Sequence, residues 1–178
     1  MVCCGATCGI GARTGAASRS RYRHGSSSPA ALERVAFGHG EHLLLVDDEP
    51  ALLRATARNL EHLGYVVTCA RDVASALAEF QRDPGRFAAI VTDREMPGAN
   101  GIDLVRGARA ILPDVRVLLC SGYFSPTTRR DALSAGALGL LAKPVATAEL
   151  SRAIRAMLEN PVSATTPAAI AGKRGASD

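Results

Sequence analysis

Tryptophan is absent from the 178-residue sequence and aromatic residues make up only 4% of it. A core must therefore be built from Leu, Val, Ile and Ala, and a hydrophobic content of 47% is enough to supply one. Long apolar runs are missing too. No stretch reaches the ~18 residues that identify a membrane span, and the N-terminus lacks the apolar segment of a secretory signal. The expectation is a cytoplasmic protein with no membrane partner. Cysteine is sparse and unevenly placed: Cys3, Cys4 and Cys8 crowd the first residues, and Cys69 and Cys120 sit inside apolar runs. That is no disulfide framework, and no His or further Cys stands at ligand spacing from the first three. Cys69 and Cys120 read as buried small hydrophobes. His24, His39, His42 and His62 share neither a helical face nor a ligand spacing. No internal repeat signals a solenoid.

What charge there is lies mostly at the ends. Residues 1–40 hold Arg13, Arg19, Arg21, Arg23 and Arg34 against Glu33, which is 5 − 1 = +4, whereas 41–159 hold 14 basic and 15 acidic residues, −1. The calculated pI near 9.0 is thus a property of the tails and weak evidence for a nucleic-acid surface. Residues 1–40 are rich in Gly, Ala, Ser and Arg without helical or strand period, and 161–178 are rich in Ala, Thr, Pro and Gly. Both are expected to be disordered, flanking a folded domain over 41–160.

Inside that domain the pattern is regular. Leu43-Leu44-Leu45-Val46 is a continuous apolar run that ends in Asp47-Asp48, as expected of a strand covered on both faces. Pro50 suits a first helical turn. Leu53, Ala57, Leu60 and Leu63 recur at helical spacing until Gly64. Tyr65 to Cys69 is a second strand. Val73, Ala76, Leu77 and Phe80 mark an amphipathic helix, stopped at Asp83-Pro84-Gly85. Phe87 to Val91 leads to Asp93, and Ile102 to Ile111 is helical. Val115 to Cys120 leads to Ser121, and Thr127 to Ala135 is helical up to Gly136. Leu138 to Ala142 leads to Lys143-Pro144. A last helix carries Leu150, Ile154, Met157 and Leu158, with Thr147 as its N-cap. Five strands each followed by a helix predict an α/β fold: a five-stranded parallel sheet, doubly wound.

In open parallel sheets, ligands bind beyond the carboxyl ends of the strands. Asp47, Asp48, Asp93, Ser121 and Lys143 all fall there. Three carboxylates so close repel one another, and a bound cation relieves this. Oxygen ligands select Mg²⁺ or a similar hard ion, which shares its shell with water and phosphoryl oxygens. The implied chemistry is phosphoryl transfer to a carboxylate, with metal and ammonium balancing the phosphoryl charge and a serine hydroxyl donating to it. Only Lys143 and Lys173 among the 21 basic residues are lysines, so a lysine within the folded part points to a need for a compact charge. Gly98, Gly101 and Gly122 read as turn residues that let loops approach a phosphoryl group.

The stretches Leu44-Leu45-Val46-Asp47-Asp48-Glu49-Pro50, Val91-Thr92-Asp93-Arg94-Glu95-Met96-Pro97-Gly98-Ala99-Asn100-Gly101, Leu118-Leu119-Cys120-Ser121-Gly122 and Ala142-Lys143-Pro144 together resemble the receiver domains of bacterial response regulators and hybrid sensor kinases. The resemblance covers about 120 of the 178 residues and implies the flavodoxin-like (βα)5 receiver fold. It implies that Asp93 accepts a phosphoryl group from a histidine kinase or histidine phosphotransfer protein. It implies Mg²⁺ held by Asp48, Asp93 and the backbone carbonyl of Glu95, with Asp47 acting through water. Lys143 contacts the phosphoryl group and precedes a cis proline; Ser121 moves toward the phosphoryl group and shifts the helix 4–strand 5–helix 5 face, where a downstream target binds. Such a domain catalyses only its own phosphorylation and dephosphorylation.

Two positions depart from the family pattern. Leu140 stands where the family often has the aromatic ring that reports activation, and Glu95 puts a carboxylate at the position that tunes phosphate lifetime. Gly38-His39-Gly40-Glu41 resembles linkers that precede receivers in hybrid kinases, so a detached or truncated C-terminal receiver is one alternative. A nucleic-acid-binding regulator using the Arg-rich tail is another. A phosphatase with an aspartyl-phosphate intermediate is a third; haloacid-dehalogenase-type enzymes, however, place the nucleophile in an Asp-x-Asp motif after the first strand. No output domain is expected after Asn160.

Overall fold

The computed structural model describes residues 35–159. Cys3, Cys4, Cys8, His24, the Arg-rich stretch and the C-terminal Ala/Thr/Pro stretch lie outside the described residues. Strands and helices alternate as β1 (His42–Val46), α1 (Pro50–His62), β2 (Val66–Ala70), α2 (Val73–Arg82), β3 (Ala89–Asp93), α3 (Gly101–Ile111), β4 (Val117–Ser121), α4 (Pro126–Ala135), β5 (Gly139–Ala142) and α5 (Thr147–Glu159). A 3-10 turn at Pro84–Arg86 follows α2. All strand pairs are parallel, in the order β2-β1-β3-β4-β5. This is the doubly wound parallel sheet that the alternating pattern predicts.

The apolar runs of β1, β3 and β4 are continuous because these strands are covered on both faces. Leu44 and Val46 of β1, Ile90 of β3, and Val117 and Leu119 of β4 pack with Val73, Ala76 and Phe80 of α2 and Leu104, Val105 and Ala108 of α3. The alternate residues Leu43, Leu45, Ala89, Val91, Leu118 and Cys120 face Leu53, Ala57 and Leu60 of α1 and Leu150, Ile154 and Met157 of α5. Each fully buried Leu, Ile or Phe side chain contributes roughly 1.5–3 kcal/mol. β2 is an edge strand, and only Ala70 of it is fully covered. Cys69 is therefore exposed rather than buried, because which strand lies at the edge follows from sheet order and not from the run itself.

α4 is the most loosely seated helix: Ala132 is its single buried residue. Ser125 caps it by accepting the Thr128 N–H at 3.0 Å. Gly136 ends it at φ +103°, a left-handed conformation that suits glycine. Thr147 is the first residue of α5 rather than its cap, and its hydroxyl accepts a hydrogen bond from the Asn59 amide at 3.1 Å. The end of the lead-in is tied down. Gly38 N–H and Gly40 N–H donate to the carbonyls of Leu63 and Gly64, and Ala36 N–H donates to Ser151 Oγ. Gly38 lies against the Tyr65 ring, where a Cβ would come within 2.7 Å. Among the described residues, no helix is long and apolar enough to cross a membrane.

Candidate functional site

The chain runs from β1 to β2 on one side and then back to β3 on the other. That reversal opens a crevice at the carboxyl ends of β1 and β3, where open α/β sheets bind ligands. The register pairs Val46 with Thr92, Asp93 with Cys120 and Ser121 with Ala142, so the strand ends are level. Asp47, Asp48, Asp93, Ser121 and Lys143 are thereby brought to one edge. Lys143 N–H donates to the Ser121 carbonyl at 2.8 Å, and the Lys143–Pro144 peptide is cis.

Asp47, Asp93 and Ser121 are buried, whereas Asp48 is exposed. The Lys143 ammonium sits between two carboxylates, 3.0 Å from Asp47 Oδ2 and 2.9 Å from Asp93 Oδ2. Burial pulls its pKa down, but hydrogen bonds to Asp93 and Asp47, and then their charges, outweigh this and raise it above the ordinary lysine value. The ammonium is therefore fully charged at neutral pH. Asp47 Oδ1 accepts the Glu49 N–H at 2.9 Å, which fixes the carboxylate.

One oxygen from each of Asp47, Asp48 and Asp93 lies within 4.8 Å of the others. Three negative charges against the single positive charge of Lys143 leave a net of −2. Like charges near 4 Å cost about 4 kcal/mol per pair at an effective dielectric of 20. Asp93 Oδ1 is also buried with no hydrogen-bond partner among the described residues, and an unpaired buried acceptor costs roughly 1–3 kcal/mol. A hard divalent cation meets both needs, and the oxygen-only donor set fits one.

The loop after β3 and the start of α3 hold two residues, Arg94 and Gly101, whose contacts are not evident from sequence. Arg94 Nε donates to Ser121 Oγ at 2.9 Å, and its guanidinium pairs with the Glu95 carboxylate. Ser121 Oγ donates to the Tyr123 carbonyl at 2.9 Å and accepts the Tyr123 N–H at 3.2 Å. Gly101 serves Asp93 itself: a Cβ there would lie 2.2 Å from the Asp93 carbonyl oxygen and 2.7 Å from Leu119 Cδ1. Gly98 is a turn glycine at φ +83°. Asn100 accepts the N–H groups of Ile102 and Asp103, and Asp103 accepts the Asn100 N–H, forming a capping box on α3. The spacing of Asn100 and Asp103 is a legible signal for that box. Leu140 is half-buried and packs against the core cluster that includes Leu119 and Ala132. A cavity of about 490 Å³ between α1 and α5 opens beside Asp47, Asp93 and Lys143, lined on its outer side by Leu52, Thr56 and Val145.

Comparison with known proteins agrees with this fold. Residues 43–155 match the family model described as the response regulator receiver domain. The acid tolerance regulatory protein ActR of Sinorhizobium medicae is 32% identical over 139 residues, covering 76% of this chain and 69% of that protein. A receiver domain protein from Clostridium thermocellum superimposes with a TM-score of 0.64 at 29% identity, over 66% of this chain and 94% of that one. A response regulator from Burkholderia pseudomallei, solved with a phosphorylated aspartic acid, a calcium ion and citrate, gives 0.58 at 29% identity, over 68% of this chain and 75% of that one.

Proposed function

We propose, for a chain that belongs to the response regulator receiver family, that Asp93 is the phosphoacceptor. Phosphoacceptance in two-component signalling is the general function of that family, and this chain carries its receiver domain. The observation that carries the assignment is the state of the Asp93 carboxylate. It is buried at the switch point of the sheet, one oxygen is held by Lys143 and the other is unpaired among the described residues.

In this reading a carboxylate oxygen of Asp93 attacks the phosphorus of a phosphohistidine on a histidine kinase or phosphotransfer protein. The P–O bond forms as the P–N bond breaks, and the electron pair leaves on the imidazole nitrogen. Lys143 holds the carboxylate and meets the charge of the incoming phosphoryl oxygens. Asp48, Asp93 and the Glu95 backbone carbonyl are the residues that would hold Mg²⁺, with Asp47 acting through water. The ion supplies neutralisation of the phosphoryl charge. That the Burkholderia pseudomallei protein was solved with both a phosphorylated aspartic acid and a calcium ion supports this reading. Hydrolysis of the acyl phosphate restores the carboxylate, so the domain catalyses only its own phosphorylation and dephosphorylation.

Output in this reading is a population shift of the α4–β5–α5 face. Two observations support it: α4 is held by one buried residue, and Leu133 of α4 and Leu138, just before β5, are exposed. Incubation with Mg²⁺ and acetyl phosphate, followed by intact-mass measurement, tests the proposal. One added phosphoryl group, absent with chelator and absent in Asp93→Asn, is expected. Equal labelling of Asp93→Asn refutes the assignment.

A further inference from the structure

The Ser121 hydroxyl is the group that must turn toward a phosphoryl group on Asp93, yet here its bonding capacity is fully used. It donates its proton to the Tyr123 carbonyl and accepts from both Arg94 Nε and Tyr123 N–H. Arg94 follows Asp93 directly in the chain. Its backbone is pinned by an N–H to Cys120 carbonyl bond of 2.8 Å and by its own carbonyl accepting Gly101 N–H at 2.9 Å. The side chain reaches from the end of β3 to the end of β4, and its outer edge is occupied by Glu95. At Leu140 there is no ring to report the movement of Ser121.

We infer that Arg94 is a positioning residue that latches Ser121 in the unphosphorylated orientation, so that phosphorylation of Asp93 must compete with the Arg94 guanidinium for the Ser121 hydroxyl. The inference rests on the phosphoacceptor reading of Asp93. The Arg94 Nε–H points at a lone pair of Ser121 Oγ, which directs the hydroxyl proton to Tyr123 and away from Asp93. Turning that proton to a phosphoryl oxygen breaks the bond to Tyr123 and strains or breaks the bond to Arg94. Glu95 deepens the latch, because the carboxylate keeps the guanidinium in place. The loop after β3 and the loop after β4 are thus coupled through a hydrogen bond rather than through an aromatic ring at Leu140.

Beryllofluoride with Mg²⁺ stands in for the phosphoryl group, and its affinity reads the cost of the turn. The full chain, Arg94→Met, Arg94→Lys, Ser121→Ala and the Arg94→Met/Ser121→Ala double variant are titrated by calorimetry, with melting curves to establish folding. Release of one net hydrogen bond that phosphoryl binding must otherwise break predicts that Arg94→Met binds tighter by roughly 3- to 10-fold. Ser121→Ala binds more weakly, and Arg94→Met has no further effect in the Ser121→Ala background. A merely structural role for Arg94 would move affinity equally in both backgrounds, and that result overturns the latch. Arg94→Lys carries a methylene where Nε stands, so it is expected to follow Arg94→Met. Wild-type affinity in Arg94→Lys would mean that charge alone acts, and it also overturns the latch. Equal binding by all folded variants removes the latch and leaves the phosphoacceptor reading intact. Failure of the folded wild type to bind removes both.

Discussion

Asp93 is held by neighbours that serve its backbone as much as its side chain. Gly101 lies against its carbonyl so closely that a Cβ would stand at 2.2 Å, and neither the strand end nor the helix start can yield cheaply. Gly101→Ala is expected to lose about 1–3 kcal/mol of stability by overpacking and to slow phosphorylation by acetyl phosphate, because the Asp93 carboxylate is displaced from Lys143. Gly98→Ala provides the contrast. Its φ of +83° is strained for alanine, but a Cβ there meets nothing within 4 Å among the described residues. That variant is expected to lose about 1–2 kcal/mol and to keep its phosphorylation rate. Urea melts alongside initial rates distinguish the two; equal rates in both variants would show that Gly101 does not position Asp93. The strand-end residues of the site are legible in the sequence, because an apolar run followed by a polar residue marks where a buried strand emerges. The contacts of Gly101 and Arg94 are not legible, since they depend on how two loops fold over each other.

At the scale of elements, α3 and α5 are fastened in different ways. The capping box of Asn100 and Asp103 satisfies the first N–H groups of α3. Asn100→Ala is expected to destabilise the domain by about 1 kcal/mol, read as a shift in the urea midpoint at unchanged slope. α5 is tied to the start of β1 by Arg155, which pairs with Glu41 and with Glu159. Burial alone would raise the Glu41 pKa, but hydrogen bonds from the His39 and Glu41 N–H groups and from Arg155, with the Arg155 charge, lower it below its ordinary 4.5. A carboxylate with a depressed folded pKa contributes stability that is complete above its unfolded value and is lost as pH falls through the folded one. Glu41→Gln is therefore expected to be less stable than wild type at neutral pH. The gap should close as the pH falls below 4.5; thermal melts across that range check it, and a gap independent of pH would contradict it. The helices were legible from their spacing, whereas the looseness of α4 becomes evident only once Ala132 is seen to be its sole buried residue.

Across the whole molecule, alternation of apolar runs and helical stripes specifies the parallel sheet, because its central strands must be covered on both faces. It does not specify which strand lies at an edge. That is why Cys69, inside an apolar run, is exposed on β2. Nor does it show that residues 36–40, which carry no helical or strand period, are fastened to Leu63, Gly64 and Ser151. Sheet order also creates the site: β1 and β3 are adjacent although β2 lies between them in sequence, and this adjacency brings Asp47 and Asp93 to the two sides of one ammonium. The most direct test of that arrangement is to phosphorylate the chain with Mg²⁺ and acetyl phosphate, reduce the acyl phosphate with borohydride, and map the modified peptide. Homoserine at position 93 and at no other aspartate is the predicted result. Homoserine at Asp47 or Asp48, or reduction products scattered over surface carboxylates, would contradict it.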